Sequence, residues 1–150
     1  MRPGVDTVTA VLTDLPGELP EITIPAGIVG FPGAHRFALV SVSDDVPCFV
    51  LRSLDDENAQ FVVVPPTVYF PEYAPSLDDG TATSLGLEDA EDALLLSVVT
   101  LGERAEDSTA NLFAPIVVNA RTRTAAQVLL TGSPYQLRER LPLSLSLIHI

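Results

Sequence analysis

Thirteen prolines and nine glycines, spread through 150 residues of which 47% are hydrophobic, decide most of what this chain can fold into. Proline removes a backbone donor and clashes with the preceding helical turn, and glycine is costly inside regular elements, so together they cut the chain into pieces too short for a helical bundle. The apolar content excludes a chain that is disordered throughout. One domain is the expectation at this length, with a single sizeable core built from short strands.

The pieces between the breaks carry β patterns. Residues 7–12, TVTAVL, and 21–24 read as strands on either side of the Pro16-Gly17 turn. The segment GIVGFPG, residues 27–33, reads as a tight loop leading into a strand over 36–41. Residues 47–53 (PCFVLRS) and 60–64 (QFVVV) are β-branched or aromatic runs around a polar turn, which predicts an antiparallel hairpin. Pro65-Pro66 is expected to stop the second strand, with 67–73 continuing as an aromatic-rich turn. Residues 76–87 are compatible with one short helix, with Leu77, Ala82, Leu85 and Leu87 as its apolar positions. Strands are then predicted over 93–101, 115–119 and 125–130. About eight strands with one helix make an all-β domain, mainly antiparallel and barrel-like or sandwich-like.

Charge narrows the function. Twenty acidic residues face eight basic ones, a net charge of −12, and every basic residue is arginine. Without lysine there is no P-loop and no Schiff-base chemistry. So negative a chain repels a phosphate backbone, and no direct nucleic-acid binding is expected; the charge reads equally as favouring encounter with a basic protein and as serving solubility. With Cys48 the only cysteine, no disulfide forms within the chain, no secretory pattern is visible at residues 1–12, and no apolar run approaches the roughly 20 residues that span a bilayer. A cytoplasmic protein without a membrane partner, expected to be a monomer, fits these observations.

The chemistry-bearing residues are sparse. Cys48 and His35 could in principle pair as nucleophile and base, but a cysteine between Pro47 and Phe49 in an apolar run reads as a buried, inert thiol. The acids at 78–79 and 88–92 could donate oxygen to a hard cation, yet their spacing fits no calcium loop, and a solvated acidic face accounts for them. A glycosidase carboxylate pair meets the same objection. GIVGFPG lacks dinucleotide-binding spacing, and no Gly-x-Ser-x-Gly elbow occurs. No catalytic, cofactor or metal residue is therefore assigned. The rings Tyr69, Phe70 and Tyr73, beside Pro71 and Glu72, read either as a core anchor or as a binding surface.

Six blocks in order resemble the FliW family of bacterial flagellar assembly factors: GIVGFPG with its following strand, PCFVLRS, QFVVVPPTVYFPEY, LLSVVTL, TANLFAPIVVN and QVLLTGSPYQLR. The run over 97–119, in which VVTL passes through a charged hairpin into TANLFAPIVVN, carries most of the likeness. Pro65-Pro66 departs from a frequent Asn-Pro, and Ala125 or Ala126 stands where a glycine is common. The resemblance covers residues 1–140 as one β domain; residues 141–150 (LPLSLSLIHI) look like nothing in the family and are expected to be a non-native tail.

The resemblance implies a non-enzymatic regulator that binds flagellin and the RNA-binding translational repressor CsrA. CsrA would be weakened allosterically, away from its RNA surface, and free flagellin would compete for the same regulator. A partner surface is expected at Phe70, Glu72 and Tyr73 and along the acidic edge Glu88, Asp89 and Asp92, joined by Asn111 and Asn119 at the ends of the signature strands. Asn111 has an equal structural reading, its amide satisfying turn backbone. The competing classes are a carboxylate-dependent metal-binding enzyme and a plain structural β oligomer.

Overall fold

A computed structural model of the chain describes residues 21–42 and 47–141, and within them nine strands run in one continuous sheet. The first four form an antiparallel meander: β1 (Glu21–Thr23), β2 (Arg36–Ser41), β3 (Phe49–Ser53) and β4 (Gln60–Val64). The predicted hairpin is there in register, Val50 opposite Val62 and Arg52 opposite Gln60. Residues 65–92 then make the long connection to β5 (Ala93–Thr100), which pairs antiparallel with β4.

Along its other edge β5 meets two strands in turn, β7 (Ile116–Asn119) at its start and β6 (Thr109–Ala110) at its end. β8 (Ala125–Gln127) adds to β7, and β9 (Glu139–Arg140) adds to β6. The ring β1-β2-β3-β4-β5-β7-β8 closes through a parallel bridge between Thr23 and Thr124, where the Thr23 N–H donates to the Arg123 carbonyl at 2.9 Å. An odd number of strands in a ring that alternates direction leaves one neighbouring pair pointing the same way, and this is it. Thus the all-β, mainly antiparallel barrel expected from the sequence is the fold.

The barrel interior is filled from every strand of the ring, with Ile22, Phe37, Leu39, Leu51, Val63, Leu96, Ile116, Val118 and Ala125 at most 2% exposed. A second core lies outside the barrel, where Val64, Leu95 and Val99 meet Tyr69, Tyr73, Leu112, Leu130 and Leu141. This explains why β5 reads ALLLSVVT with Ser97 as its one polar residue before the closing threonine: Leu94 and Leu96 face the interior while Leu95 and Val99 face the outer cluster, so both sides of the strand are covered.

Two helices cover the outer face. α1 (Pro66–Tyr69) corrects the expectation of a plain turn after Pro65-Pro66. Proline halts a strand, but at the first position of a helix its missing N–H is one that no helical carbonyl would have accepted. α2 (Asp79–Leu85) lies within the predicted 76–87. Asp78 caps it, its Oδ1 accepting from the Thr81 N–H at 2.7 Å, which holds the Asp78 carboxyl below its ordinary range. Gly86, at φ +67°, ends it in the left-handed conformation that favours glycine.

Several boundaries differ from expectation. β8 stops at Gln127 instead of 130, because Pro115 opposite has no N–H to continue the ladder, although Val128 and Leu130 still donate to the Pro115 and Phe113 carbonyls at 2.9 Å. β6 and β9, two residues each, are too short to leave a pattern in the sequence. The predicted strand over 7–12 lies outside the described residues, as do 142–150. Leu141, grouped by sequence with the tail, is 5% exposed, and its N–H donates to the Ser108 carbonyl at 3.0 Å.

Candidate partner-binding surface

The connection over 65–92 lines three adjoining open depressions on the outer face, which together form a furrow; two of them are shared with the segment over 130–139 and the third with β5. The first, about 570 Å³, is lined by Tyr69, Phe70, Pro71, Glu72, Tyr73, Leu112, Tyr135 and Glu139. The second, about 370 Å³, shares Tyr135 with the first and reaches Pro75. The third, about 360 Å³, shares Pro75 with the second and ends among Leu77, Ala82, Leu87, Glu88, Asp89 and Leu95. The two patches singled out from sequence, the 70–73 aromatics and the 88–92 acids, are therefore opposite ends of one surface feature.

At the aromatic end, α1 delivers Tyr69 into the outer core, and the Phe70 N–H closes the helix on the Pro66 carbonyl at 2.7 Å. Tyr73 is 5% exposed; its hydroxyl donates to the Leu112 carbonyl at 2.7 Å, and its ring meets Tyr135 edge to face at 4.6 Å. The Tyr135 hydroxyl in turn accepts from the Ala74 N–H at 3.2 Å, which ties the connection to the 130–139 segment. Burial pushes the Tyr69 phenol up to about 12 and the Tyr73 phenol higher still, so both stay neutral at physiological pH. Tyr73, expected on the surface, is thus chiefly a wall of the furrow, whereas Phe70 is half-exposed and Glu72 fully open to solvent.

At the acidic end, Asn119 corrects its sequence reading most sharply. It is fully buried. Its Nδ2 donates to the Leu85 carbonyl at 2.8 Å and the Gly86 carbonyl at 3.3 Å, while its Oδ1 accepts from the Arg121 N–H at 3.0 Å and the Thr122 N–H at 3.3 Å. One side chain thus satisfies the orphan carbonyls at the end of α2 and the turn after β7, and nothing of it reaches a partner in this conformation. Beside it Arg121 pairs with Glu88 at 3.1 Å and with Asp92 at 3.6 Å, and the Ala120 N–H holds the Asp92 carbonyl at 2.8 Å. Asp92 is half-buried in this arrangement, while Asp89 and Glu91 remain exposed.

Asn111 takes its structural reading, its Oδ1 accepting from the Phe113 and Ala114 N–H groups at 3.1 and 2.9 Å. Tyr135, Glu139 and Arg121 were not anticipated. Tyr135 and Glu139 stand in a segment without a hydrophobic period, and Arg121 gives no sign of its carboxylate partners until the chain has folded.

The other chemistries weighed from sequence find no support in the geometry. Among the described residues no three His, Cys, Asp or Glu side chains converge as a metal site would need. Cys48 is half-buried, less enclosed than expected, and desolvation raises its thiol pKa, which keeps it a poor nucleophile. His35, its ring against the Pro32 carbonyl at 3.0 Å, precedes β2, while the Cys48 carbonyl is bonded just beyond that strand's other end, about 20 Å away at strand rise. Among the described residues no helix is long and apolar enough to cross a membrane.

Comparison with known proteins places this geometry. The family model described as "FliW protein" matches residues 11–141. The flagellar assembly factor FliW of Bacillus licheniformis is 42% identical over 114 residues, covering 76% of this chain and 80% of the relative. That of Bacillus subtilis is 39% identical over 114 residues with the same coverage. A solved structure, described as the crystal structure of the flagellar assembly factor FliW, superposes with a TM-score of 0.77 at 34% identity, covering 83% of this chain and 86% of that one.

Proposed function

The chain belongs to the FliW family of flagellar assembly factors, and from that premise we propose that it acts in the cytoplasm as a regulator with two alternative protein partners, flagellin and the translational repressor CsrA. Bound to flagellin, it is occupied. Once secretion removes flagellin, it binds CsrA away from the RNA surface, loosens CsrA from flagellin mRNA, and relieves repression. No reaction is catalysed; the work is done by mutually exclusive binding.

The furrow is the observation that carries this reading. A row of adjoining depressions with aromatic walls at one end, a mixed polar and apolar middle and exposed carboxylates on the rim is suited to gripping a protein segment, because rings supply contact area at small entropic cost and a polar rim sets register. The net charge of −12 suits a basic partner and speeds encounter with it.

Calorimetric titration with CsrA from the same genome, repeated with flagellin already bound, tests the proposal. Heat with CsrA that flagellin abolishes is the expected result. No binding of CsrA beside firm binding of flagellin would reduce the protein to a flagellin chaperone, and binding of neither would overturn the reading.

A further inference from the structure

Resting on that reading of the chain as a partner-binding module, we propose that the aromatic end of the furrow is a receptor for a single arginine side chain presented by the partner. Tyr69, Phe70, Tyr73 and Tyr135 line this depression, and Glu72 and Glu139 are the charged groups among its lining residues. Its volume of about 570 Å³ holds one long side chain and part of its backbone.

The chemistry selects the occupant. Ring faces are electron-rich and attract a cation, and a guanidinium does better than an ammonium because it is planar, weakly hydrated and able to stack on a ring while bonding a carboxylate with two parallel N–H groups. An aliphatic side chain would sit beside two carboxylates and strip their water without replacing it. An anion would be repelled. None of the described arginines is among the residues that line the depression. Arg36, Arg104, Arg121 and Arg140 are paired with Asp55, Glu106, Glu88 with Asp92, and Asp107, whereas Glu72 and Glu139 have no ion pair among the described residues. The walls are also fixed in advance: the Tyr73 hydroxyl is held by the Leu112 carbonyl, and the Tyr73 and Tyr135 rings stand at 72° to each other, so little ordering is left to binding.

The chain contains three tyrosines and no tryptophan, and all three tyrosines line this one depression. Intrinsic tyrosine emission therefore reports on this depression and, through Tyr135, on its junction with the second. The probe is the blocked pentapeptide Ala-Leu-Arg-Leu-Ala, titrated beside the same peptide carrying citrulline, which keeps the shape of arginine and lacks its charge. The expected result is a saturable change in emission, at least tenfold tighter for arginine than for citrulline, with that preference falling below twofold in the Glu72→Gln, Glu139→Gln double variant. Glu72 is exposed, so Glu72→Gln alone serves if the double variant melts early, and it should cut the preference at least threefold.

Equal affinity for the two peptides, no saturable change, or a preference that survives both substitutions would overturn the proposal. So would light scattering that shows a dimer dissolved by the double variant, since a second copy would then own the depression. Undiminished binding of CsrA and flagellin by the double variant would remove the arginine site and leave the proposed function standing. An arginine-selective response in a protein that binds neither macromolecule would do the reverse.

Discussion

Replacing Asn119 by alanine takes away, from a fully buried position, the amide that joins the end of α2 to the turn after β7. The four hydrogen bonds are not equal losses. The Arg121 and Thr122 residues are exposed, so their N–H groups regain water and cost about 0.5 kcal/mol each. Leu85 is 5% exposed, so its carbonyl, deprived of a 2.8 Å donor, costs about 2 kcal/mol. With about 0.5 kcal/mol for the Gly86 carbonyl, also of an exposed residue, the total is about 3.5 kcal/mol, which for a domain of this size lowers the melting temperature by about 10 °C. Urea unfolding followed by circular dichroism should show a lower midpoint with an unchanged slope, since the surface exposed on unfolding is almost the same. Asn119→Asp separates hydrogen bonding from packing. The new carboxylate keeps the acceptor for the turn but sets negative charge against the Leu85 and Gly86 carbonyls. Burial and those dipoles raise its folded pKa above the unfolded value of about 3.9. Relative to the parent, that variant is then most stable below the unfolded pKa and loses stability as pH rises through the folded one. A loss under about 1 kcal/mol for alanine, or an aspartate variant whose deficit does not change between pH 4 and pH 7, would refute the assignment of Asn119 as the strut of the acidic edge.

Ser97 is fully buried and its hydroxyl has no hydrogen-bond partner among the described residues, so Ser97→Ala should leave urea stability unchanged or raise it by up to about 1 kcal/mol; a loss above that would mean the hydroxyl is satisfied. Reversing Glu72 and Asp89, both exposed, to arginine should weaken CsrA binding most at low salt while the melting temperature stays put; equal affinity at low and high salt would remove electrostatics from the interface. Tyr69 and Tyr73 keep their protons to higher pH when folded than the unfolded value of about 10, so stability is complete below pH 10 and falls above it, by about 1.4 kcal/mol per pH unit for each group until its folded pKa is reached; alkaline unfolding without that slope would contradict their burial.

What could be read from residues alone follows a physical line. β2, β3 and β4 were legible because apolar runs rich in branched side chains end at clear turn residues, a local property. α1 was not, because two prolines signal a break, and whether the break starts a helix depends on what Tyr69 packs against, a tertiary fact. Asn119 shows the same limit: a polar residue ending an apolar strand looks exposed, and only a partner 34 residues away in sequence makes its burial tolerable. The aromatic end of the furrow was half visible, since Phe70, Glu72 and Tyr73 are neighbours in sequence, while Tyr135 and Glu139 arrive from a separate segment.

The parallel bridge between Thr23 and Thr124 gives the ring a clasp. Every other join is a ladder of at least three residue pairs, whereas this one rests on a single bridge, so it is the place where the hoop parts at least expense. β5, whose outer face carries the second core beneath the furrow, lies three strands from the clasp by the shorter way round the ring. The clasp nevertheless adjoins the acidic end, since the Asn119 N–H donates to the Thr124 carbonyl at 2.8 Å and the Asn119 carbonyl accepts from the Arg123 N–H at 2.7 Å, so a hoop that springs here loosens the turn that holds Asn119 before it disturbs the aromatic end across β5.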